Sequence, residues 1–309
     1  MNRASAPDPA RSGLIFGLLA YGLWGVLPIY FKWLAGVSPL DIVAHRIIWS
    51  LLFLAILLAV TNGWKDVVAG ARNRRILAML LATSLLIAVN WLLYVYAVTS
   101  GHILAGSLGY YLNPLMNILL GRFILKERLT GLQWAAVAVA AAGVSVLAAG
   151  AGTTLWISLT LCATFGTYGL LRKIVAVNAL TGLSIETAIL APIALAWLAF
   201  GWDAGKAVFG STGAETWLLV LSGIVSTTPL LLFTAAARRL RYSTLGMLQF
   251  VAPTLQFLLA VVLYSEAFTR AHAIAFGAIW AALVLYVTSL VRDLRAQRTA
   301  ANAPDLSEA

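Results

Sequence analysis

The chain has 309 residues, of which 61% are hydrophobic and 10% are charged, and its mean hydropathy is +0.92. Because a soluble domain carries roughly 25% charged residues, this composition excludes an ordinary soluble protein. The net charge of +10 would suit nucleic-acid binding only if the basic residues formed one patch, and their distribution follows membrane topology instead.

Long apolar stretches recur along the whole chain. A helix of about 20 apolar residues crosses a hydrocarbon core of ~30 Å, and these stretches lack the alternation of apolar and polar residues that β-barrel strands require. Ten such stretches lie at 13–34, 40–61, 76–98, 103–125, 131–149, 154–172, 182–201, 216–237, 243–264 and 271–290. The sequence therefore predicts an all-α polytopic membrane protein with ten transmembrane helices.

Lys and Arg are unequally distributed between the two sides of these spans. If the N-terminus is cytoplasmic, 17 of them lie on the inner side, including Arg172 at the end of the sixth span, and Arg46 lies within a span. Only Lys32, Lys206 and Arg270 lie outside. Cytoplasmic loops carry the excess of basic residues in membrane proteins, so both termini are predicted to be cytoplasmic.

The first two spans carry polar and charged side chains at membrane depth. In the first, Trp24, Pro28 and Lys32 share one helical face. In the second, His45 and Arg46 lie one to two turns from the outer end. An arginine at this depth is costly unless water, a partner or a ligand meets it. Arg46 could reach the interface, anchor an outer gate, or bind an anionic substrate group.

Amide and aromatic side chains mark further spans. Lipid cannot satisfy amides, so these groups either join helices or line a cavity. The cavity candidates are Asn90, Trp91 and Tyr94 in the third span, Tyr110, Asn113 and Asn117 in the fourth, Tyr168 in the sixth, and Gln249 and Gln256 in the ninth. Ser222, Ser226 and Thr227 add hydroxyls in the eighth span.

Three glutamates lie in or beside the predicted spans. Glu186 is within the seventh span, as far from the inner end as Arg46 is from the outer end, and is the candidate proton-coupling residue. It could instead be a structural carboxyl that bonds Tyr or Asn. Glu127 and Glu266 lie at the membrane edge, where capping of the following helix, or for Glu127 pairing with a neighbouring basic residue, predicts a structural role.

Five prolines fall within spans, where each removes a backbone hydrogen bond and bends its helix. They are Pro28, Pro114, Pro192, Pro229 and Pro253. The bends are either architectural or act as hinges.

The chain also repeats itself. A shift of 139 residues places Pro114 on Pro253 and Glu127 on Glu266. A five-helix repeat crosses the membrane an odd number of times, so its second copy is inverted, and such repeats are typical of secondary transporters with a site between the halves. The predicted organisation is a cytoplasmic N-terminal tail (1–11), a first five-helix repeat (12–150), a second inverted repeat (151–291) and a cytoplasmic C-terminal tail (292–309).

Several motifs carry a resemblance to a known family. AYGLWGVLPIYFK, AHRIIWS, NWLLYVYAV, SLGYYLNPLMNILLG, SIETAILAP, FTAAARRLRYSTLGMLQFVAPTLQFLLAV and FGAIW resemble RarD-type proteins, which are chloramphenicol-sensitivity permeases of the EamA family in the drug/metabolite transporter superfamily. The resemblance covers nearly all of residues 12–290. It implies a multi-pass carrier of the bacterial inner membrane, with ten helices and a central cavity.

Together these features predict a secondary active transporter that moves a small organic metabolite or drug-like compound outward by alternating access, with protons as the candidate coupling ion. No Walker A motif is present, and a single cysteine and three histidines predict neither a metal site nor a cofactor. The alternatives are a membrane-embedded enzyme or a non-transporting receptor. Gly13 and Gly17 form a small-residue pair that suits an internal contact or a homodimer, so monomer and homodimer both remain open.

Overall fold

A computed structural model describes residues 9–99, 103–149, 154–203, 209, 212–263 and 270–301, and these ranges contain helices but no strand. The helices are α1 (Pro9–Trp33), α2 (Pro39–Thr61), α3 (Trp64–Arg72), α4 (Arg74–Thr99), α5 (Ile103–Phe123), α6 (Gly131–Ala148), α7 (Leu155–Ile174), α8 (Ala179–Asp203), α9 (Gly213–Ala237), α10 (Tyr242–Gln249), α11 (Val251–Leu258), a π-helix (Leu259–Leu263) and α12 (Arg270–Ala301). The predicted all-α class is confirmed.

Eight helical stretches among the described residues are long and apolar enough to cross a membrane. They lie in α1, α2, α4, α6, α8, α9, the α10–α11–π segment and α12. The predicted fourth and sixth spans are also helical, as α5 and α7, but these two helices fall outside that set. Both carry buried polar side chains, among them Asn113 and Asn117 on α5 and Arg172 on α7.

The ninth predicted span is not one continuous helix. It divides into α10, α11 and the π-helix, with Phe250 between the first two. Pro253 follows in the first turn of α11 and has no N–H to donate to the Gln249 carbonyl, which explains why the α-helical pattern is interrupted here. The predicted span 243–264 thus coincides with one candidate membrane span, Tyr242–Leu263, whose helix is interrupted at Phe250.

Two helical segments extend beyond the predicted spans. The short helix α3 lies between the second and third spans; its Gly70 is buried within 3.2–3.6 Å of Ile185, Val177 and Thr181, measured from an ideal Cβ. The last helix, α12, continues through Ala301, so a helix occupies much of the predicted C-terminal tail.

The glycine pair of α1 packs within the chain. A Cβ at Gly13 would lie 2.9 Å from Arg239 Cβ and Leu240 Cγ, and one at Gly17 would lie 3.0 Å from Leu248. Close approach of helices is the purpose that small residues serve in membrane proteins. In this structure the pair therefore makes an internal contact.

The C-terminal ends of α7 and α9 cap each other. Lys173 Nζ donates to the carbonyls of Ala237 (2.8 Å) and Leu240 (2.5 Å). In return, Arg238 Nη1 donates to the carbonyls of Val175 (2.7 Å) and Val177 (2.5 Å). Helix C-termini leave carbonyls without partners, and basic side chains satisfy them here in both directions. The two helix ends are thereby held together.

Candidate functional site

A small central cavity lies between helices of both predicted repeats. Its lining includes Arg46 on α2, Trp91 on α4, Tyr168 on α7, Glu186 on α8 and Thr227 on α9. The cavity volume is about 20 Å³, which is room for about one water molecule. The lining includes Arg46 and Glu186, the two ionisable residues that the sequence places at membrane depth.

Glu186 lies in a buried polar cluster at one end of the cavity. Thr83 Oγ1 donates to its Oε1 over 2.5 Å, and Tyr168 Oη donates to its Oε2 over 3.4 Å. Arg172 Nη1 lies 3.6 Å from Oε1. The side chains of Arg172 and Glu186 are 0% and 3% exposed, so the pair is withdrawn from solvent.

Arg172, one of the basic residues that the sequence predicts on the inner side, is withdrawn into the protein. Its residue is fully buried, and Nη2 donates to the Ala179 carbonyl over 3.0 Å. Gly182 makes room for it, because a Cβ there would overlap the guanidinium. A basic residue in the last turn of a helix usually reaches solvent, whereas this one turns inward to a carboxylate on α8.

Arg46 lies in a different environment. Its guanidinium carbon is 4.4 Å from the centroid of the Trp91 ring, which is a cation–π contact. Its Nε is buried and has no hydrogen-bond partner among the described residues, and the same holds for Thr227 Oγ1. Arg46 and Glu186 thus line one cavity, but Arg172 is the basic residue that the structure pairs with Glu186.

Two other predicted cationic candidates are outside the cavity lining. His45 is 8% exposed and stacks on Phe209, with ring centroids 5.1 Å apart. Lys32 is exposed near the end of α1.

Most of the predicted amides join helices. Asn90 Nδ2 donates to the Leu161 carbonyl and to Thr164 Oγ1, each over 2.9 Å, and so links α4 to α7. Asn117 Nδ2 donates to Gln249 Oε1 over 2.7 Å and links α5 to α10. Gln256 is exposed, and its Nε2 donates to the Trp24 carbonyl over 3.0 Å. Asn113 is fully buried, and its amide has no partner among the described residues.

The predicted aromatic candidates lie in three places. Trp91 and Tyr168 line the cavity, and Tyr94 contacts Tyr110 edge to face at 5.5 Å. Trp24 packs in an aromatic cluster whose other members are Tyr21, Phe165 and Phe233.

The prolines lie where the sequence places them. Pro28, Pro114, Pro192 and Pro229 are inside α1, α5, α8 and α9, and Pro253 follows the break after α10.

Glu127 caps a helix of the other predicted repeat. Its Oε1 accepts from the Tyr242 amide (2.5 Å), and its Oε2 accepts from the Ser243 amide (3.0 Å) and hydroxyl (2.6 Å). Arg241 Nε is 3.9 Å from Oε2. The helix that follows Glu127 in sequence, α6, is capped by Thr130 instead. Glu266 lies outside the described residues.

We expect Glu127→Ala to lower the free energy of unfolding by about 1–2 kcal/mol, because α10 loses both the acceptor of its first amides and a favourable charge at its N-terminus. Glu127→Gln keeps an acceptor and should lose less. Cys162 is the single cysteine and is buried, so a thiol-reactive fluorogenic dye reports unfolding in detergent. Lys126→Gln, at an exposed neighbour, is the control, and equal unfolding temperatures for all three variants would contradict the capping role.

Two participants at the Glu186 end were not singled out in the sequence as site residues. Arg172 had a detectable signal, since it is a charged residue in the last turn of an apolar helix. Thr83 had none, because a threonine in a membrane helix ordinarily bonds its own backbone, and the Leu80 carbonyl lies 2.9 Å from its Oγ1 as an alternative acceptor.

Comparison with known proteins is consistent with this arrangement. The model of the EamA-like transporter family matches residues 11–149. An uncharacterized transporter of Vibrio cholerae is 45% identical, over 94% of this chain and 97% of its own length, and the protein RarD of Escherichia coli is 42% identical over 92% and 97%. A crystal structure with 21% identity has a TM-score of 0.70 and covers 90% of this chain and 97% of that one, which shows a shared fold.

Proposed function

This chain belongs to the RarD-type branch of the EamA-like transporter family, and on that premise we propose that it is a permease exporting a small organic compound by alternating access. It is a multi-pass protein of the bacterial inner membrane. The proposal includes ten membrane-crossing helices, α5 and α7 among them, arranged as two inverted five-helix repeats with both termini in the cytoplasm.

One observation carries the proposal: the central cavity is enclosed by α2 and α4 from the first half and by α7, α8 and α9 from the second. A site between inverted halves is where secondary transporters bind their substrates. Its lining combines an aromatic face at Trp91, hydroxyls at Ser226 and Thr227, and charges at Arg46 and Glu186. Such a lining suits a small molecule with both apolar and polar parts.

The small cavity volume supports a conformational cycle. Space for about one water cannot hold an organic substrate, so the halves must separate for binding. A ligand shifts such an equilibrium only by binding one state more tightly than the other. We propose that the halves rock about the cavity, with the prolines inside α1, α8 and α9 as flexing points.

The proposal is tested by measuring protein-dependent efflux from liposomes. Purified protein is reconstituted into liposomes loaded with a bacterial cytosolic extract and chloramphenicol, and the compounds that leave are identified by mass spectrometry beside protein-free liposomes. Selective loss of one class of compound from the protein-containing liposomes is the expected result. Chemical conversion without net loss would indicate an enzyme, and binding without loss would indicate a receptor.

We propose that Glu186 carries the coupling proton, and we expect Glu186→Gln to abolish the response of efflux to an imposed pH gradient. Glutamine can accept one of the two hydrogen bonds, from Thr83 or Tyr168, through its Oε1 and can donate to the other hydroxyl through its Nε2, but it cannot exchange a proton. Arg172 keeps its bond to the Ala179 carbonyl, so the variant should fold.

Efflux is measured at a series of pH gradients for wild type, Glu186→Gln and Glu215→Gln. Glu215 is a matched carboxyl in the first turn of α9, away from the cavity, and its replacement should leave the pH response in place. An unchanged pH response in Glu186→Gln would exclude this residue as the coupling site.

A further inference from the structure

The central cavity contains a positive charge that no carboxylate among the described residues neutralises. Arg46 lines the cavity, its Nε is buried, and none of its nitrogens forms an ion pair in the part of the chain that the structure describes. Leaving an unpaired cation at membrane depth costs several kcal/mol. A ligand that supplies the missing negative charge would remove that cost.

The carboxylate in the cavity lining is already engaged. Glu186 accepts from Thr83 and Tyr168 and pairs with Arg172. Tyr110 and Tyr30 lie near enough to Arg46 to act on it electrostatically, and phenols, with a reference pKa near 10, are neutral at physiological pH. Tyr30 also donates its hydroxyl to the Leu218 carbonyl over 2.5 Å. Within the described ranges, therefore, no carboxylate forms an ion pair with Arg46.

Arg46 makes a cation–π contact, and its buried Nε has no hydrogen-bond partner among the described residues. Its guanidinium carbon lies 4.4 Å from the centroid of the Trp91 ring, and the N–H groups of a guanidinium lie in its plane and project from its edge. Thr227 Oγ1 lines the same cavity and is also buried, with no hydrogen-bond partner in the part of the chain that the structure describes. The planar guanidinium of Arg46 and the hydroxyl of Thr227 are both hydrogen-bond donors suited to the oxygens of a carboxylate.

The remainder of the lining is apolar. Besides Trp91 it includes Ile47, Ile87, Leu183, Leu190 and Leu230. A ligand that satisfies Arg46 must therefore also carry a hydrophobic body, and a second charge on it would have no partner.

We propose that the central cavity binds organic monoanions, with a carboxylate held by Arg46 and Thr227 and an apolar or aromatic body held by the aliphatic side chains and Trp91. This inference rests on the proposed function, because it names the substrate class of the proposed transport site. Arg46 makes the site specific for the charge of the ligand, whereas Glu186 is the proposed proton-coupling residue.

The test compares three probes of nearly equal shape. The full-length protein in detergent is titrated with 3-phenylpropionate, with its neutral analogue 3-phenylpropionamide and with the dianion phenylsuccinate, and the unfolding temperature is recorded at each concentration. Ligands that bind the folded state raise that temperature. We expect the monoanion to bind wild type roughly tenfold or more tightly than the amide, since a hydrogen bond between charged groups contributes that much. We expect the dianion to bind more weakly than the monoanion.

Variants at position 46 identify the recognising group. Arg46→Gln should bind monoanion and amide equally, and Arg46→Lys, which keeps the charge but not the planar fork, should retain a reduced preference. Arg75→Gln is the control, because it removes an exposed arginine that does not line the cavity. It should behave as wild type.

Equal binding of monoanion and amide by wild type, an undiminished preference in Arg46→Gln, or no stabilisation by the monoanion would each overturn the inference. Failure of the permease proposal is distinguishable from this. Efflux of neutral compounds without a carboxylate preference would overturn only the monoanion site. Carboxylate binding that depends on Arg46, without efflux of any compound, would overturn only transport.

Discussion

Replacement of Arg172 by glutamine is expected to destabilise the folded protein by about 3–5 kcal/mol, the usual cost of removing one partner of a buried ion pair. Glu186 is 2% exposed, so its carboxylate cannot reach water when the guanidinium is removed. Glu186→Gln should cost less, because Arg172 keeps its hydrogen bond to the Ala179 carbonyl and has a long stem by which its charge can approach the interface. Dye labelling of Cys162 during heating measures both losses.

The double variant Arg172→Gln/Glu186→Gln separates the charge effect from the loss of packing. Removing both charges leaves no uncompensated group, so the double variant should regain much of the stability that Arg172→Gln loses. If the two single losses simply add in the double variant, the residues are not energetically coupled, and the 3.6 Å approach of Arg172 Nη1 to Glu186 Oε1 is incidental.

Replacement of Gly223 by alanine is expected to cost about 1–3 kcal/mol and to reduce transport, because the new methyl group would force α2 and α9 apart. A Cβ at this position would overlap the backbone carbonyl of Trp49, and a backbone cannot rotate away as a side chain can. Ser50 Oγ, which donates to the Gly223 carbonyl over 3.2 Å, would lose its acceptor geometry. Both helices line the central cavity, so the separation would also displace Arg46.

Gly277→Ala on α12 is the matched control, since a Cβ there meets nothing within 4 Å. It should leave both the unfolding temperature and efflux unchanged. Equal behaviour of Gly223→Ala and Gly277→Ala would show that α2 and α9 tolerate a wider separation than this contact indicates.

The length of the apolar stretches was enough to predict the helices. A run of about 20 apolar residues has few alternatives in lipid, and each predicted span coincides with helix in the structure. The break at Phe250 was harder to predict, because proline often only bends a membrane helix. Continuation of α12 to Ala301 was missed for a related reason, since a polar segment lacks the apolar run by which the spans were recognised.

The candidate site was predictable in part. Arg46 and Glu186 are ionisable residues within apolar spans, and this feature can be recognised from the sequence without knowledge of the tertiary structure. Their neighbours could not be identified in this way. The contacts of Arg172 with Glu186 and of Glu127 with α10 depend on which way a side chain turns at the end of a helix. That direction is decided by partners distant in sequence, which periodicity does not reveal.

The cap that Glu127 provides for α10 joins groups that the ribosome produces at different times. The carboxylate and the Tyr242 amide are 115 residues apart in sequence, which corresponds to about 6–23 s of synthesis at roughly 5–20 residues per second. The first repeat is completed early in that interval, and the carboxylate of Glu127 has no helix to cap until Tyr242 and Ser243 have been synthesised. The contact therefore closes late in biogenesis, and a nascent chain that stops before Tyr242 never acquires it.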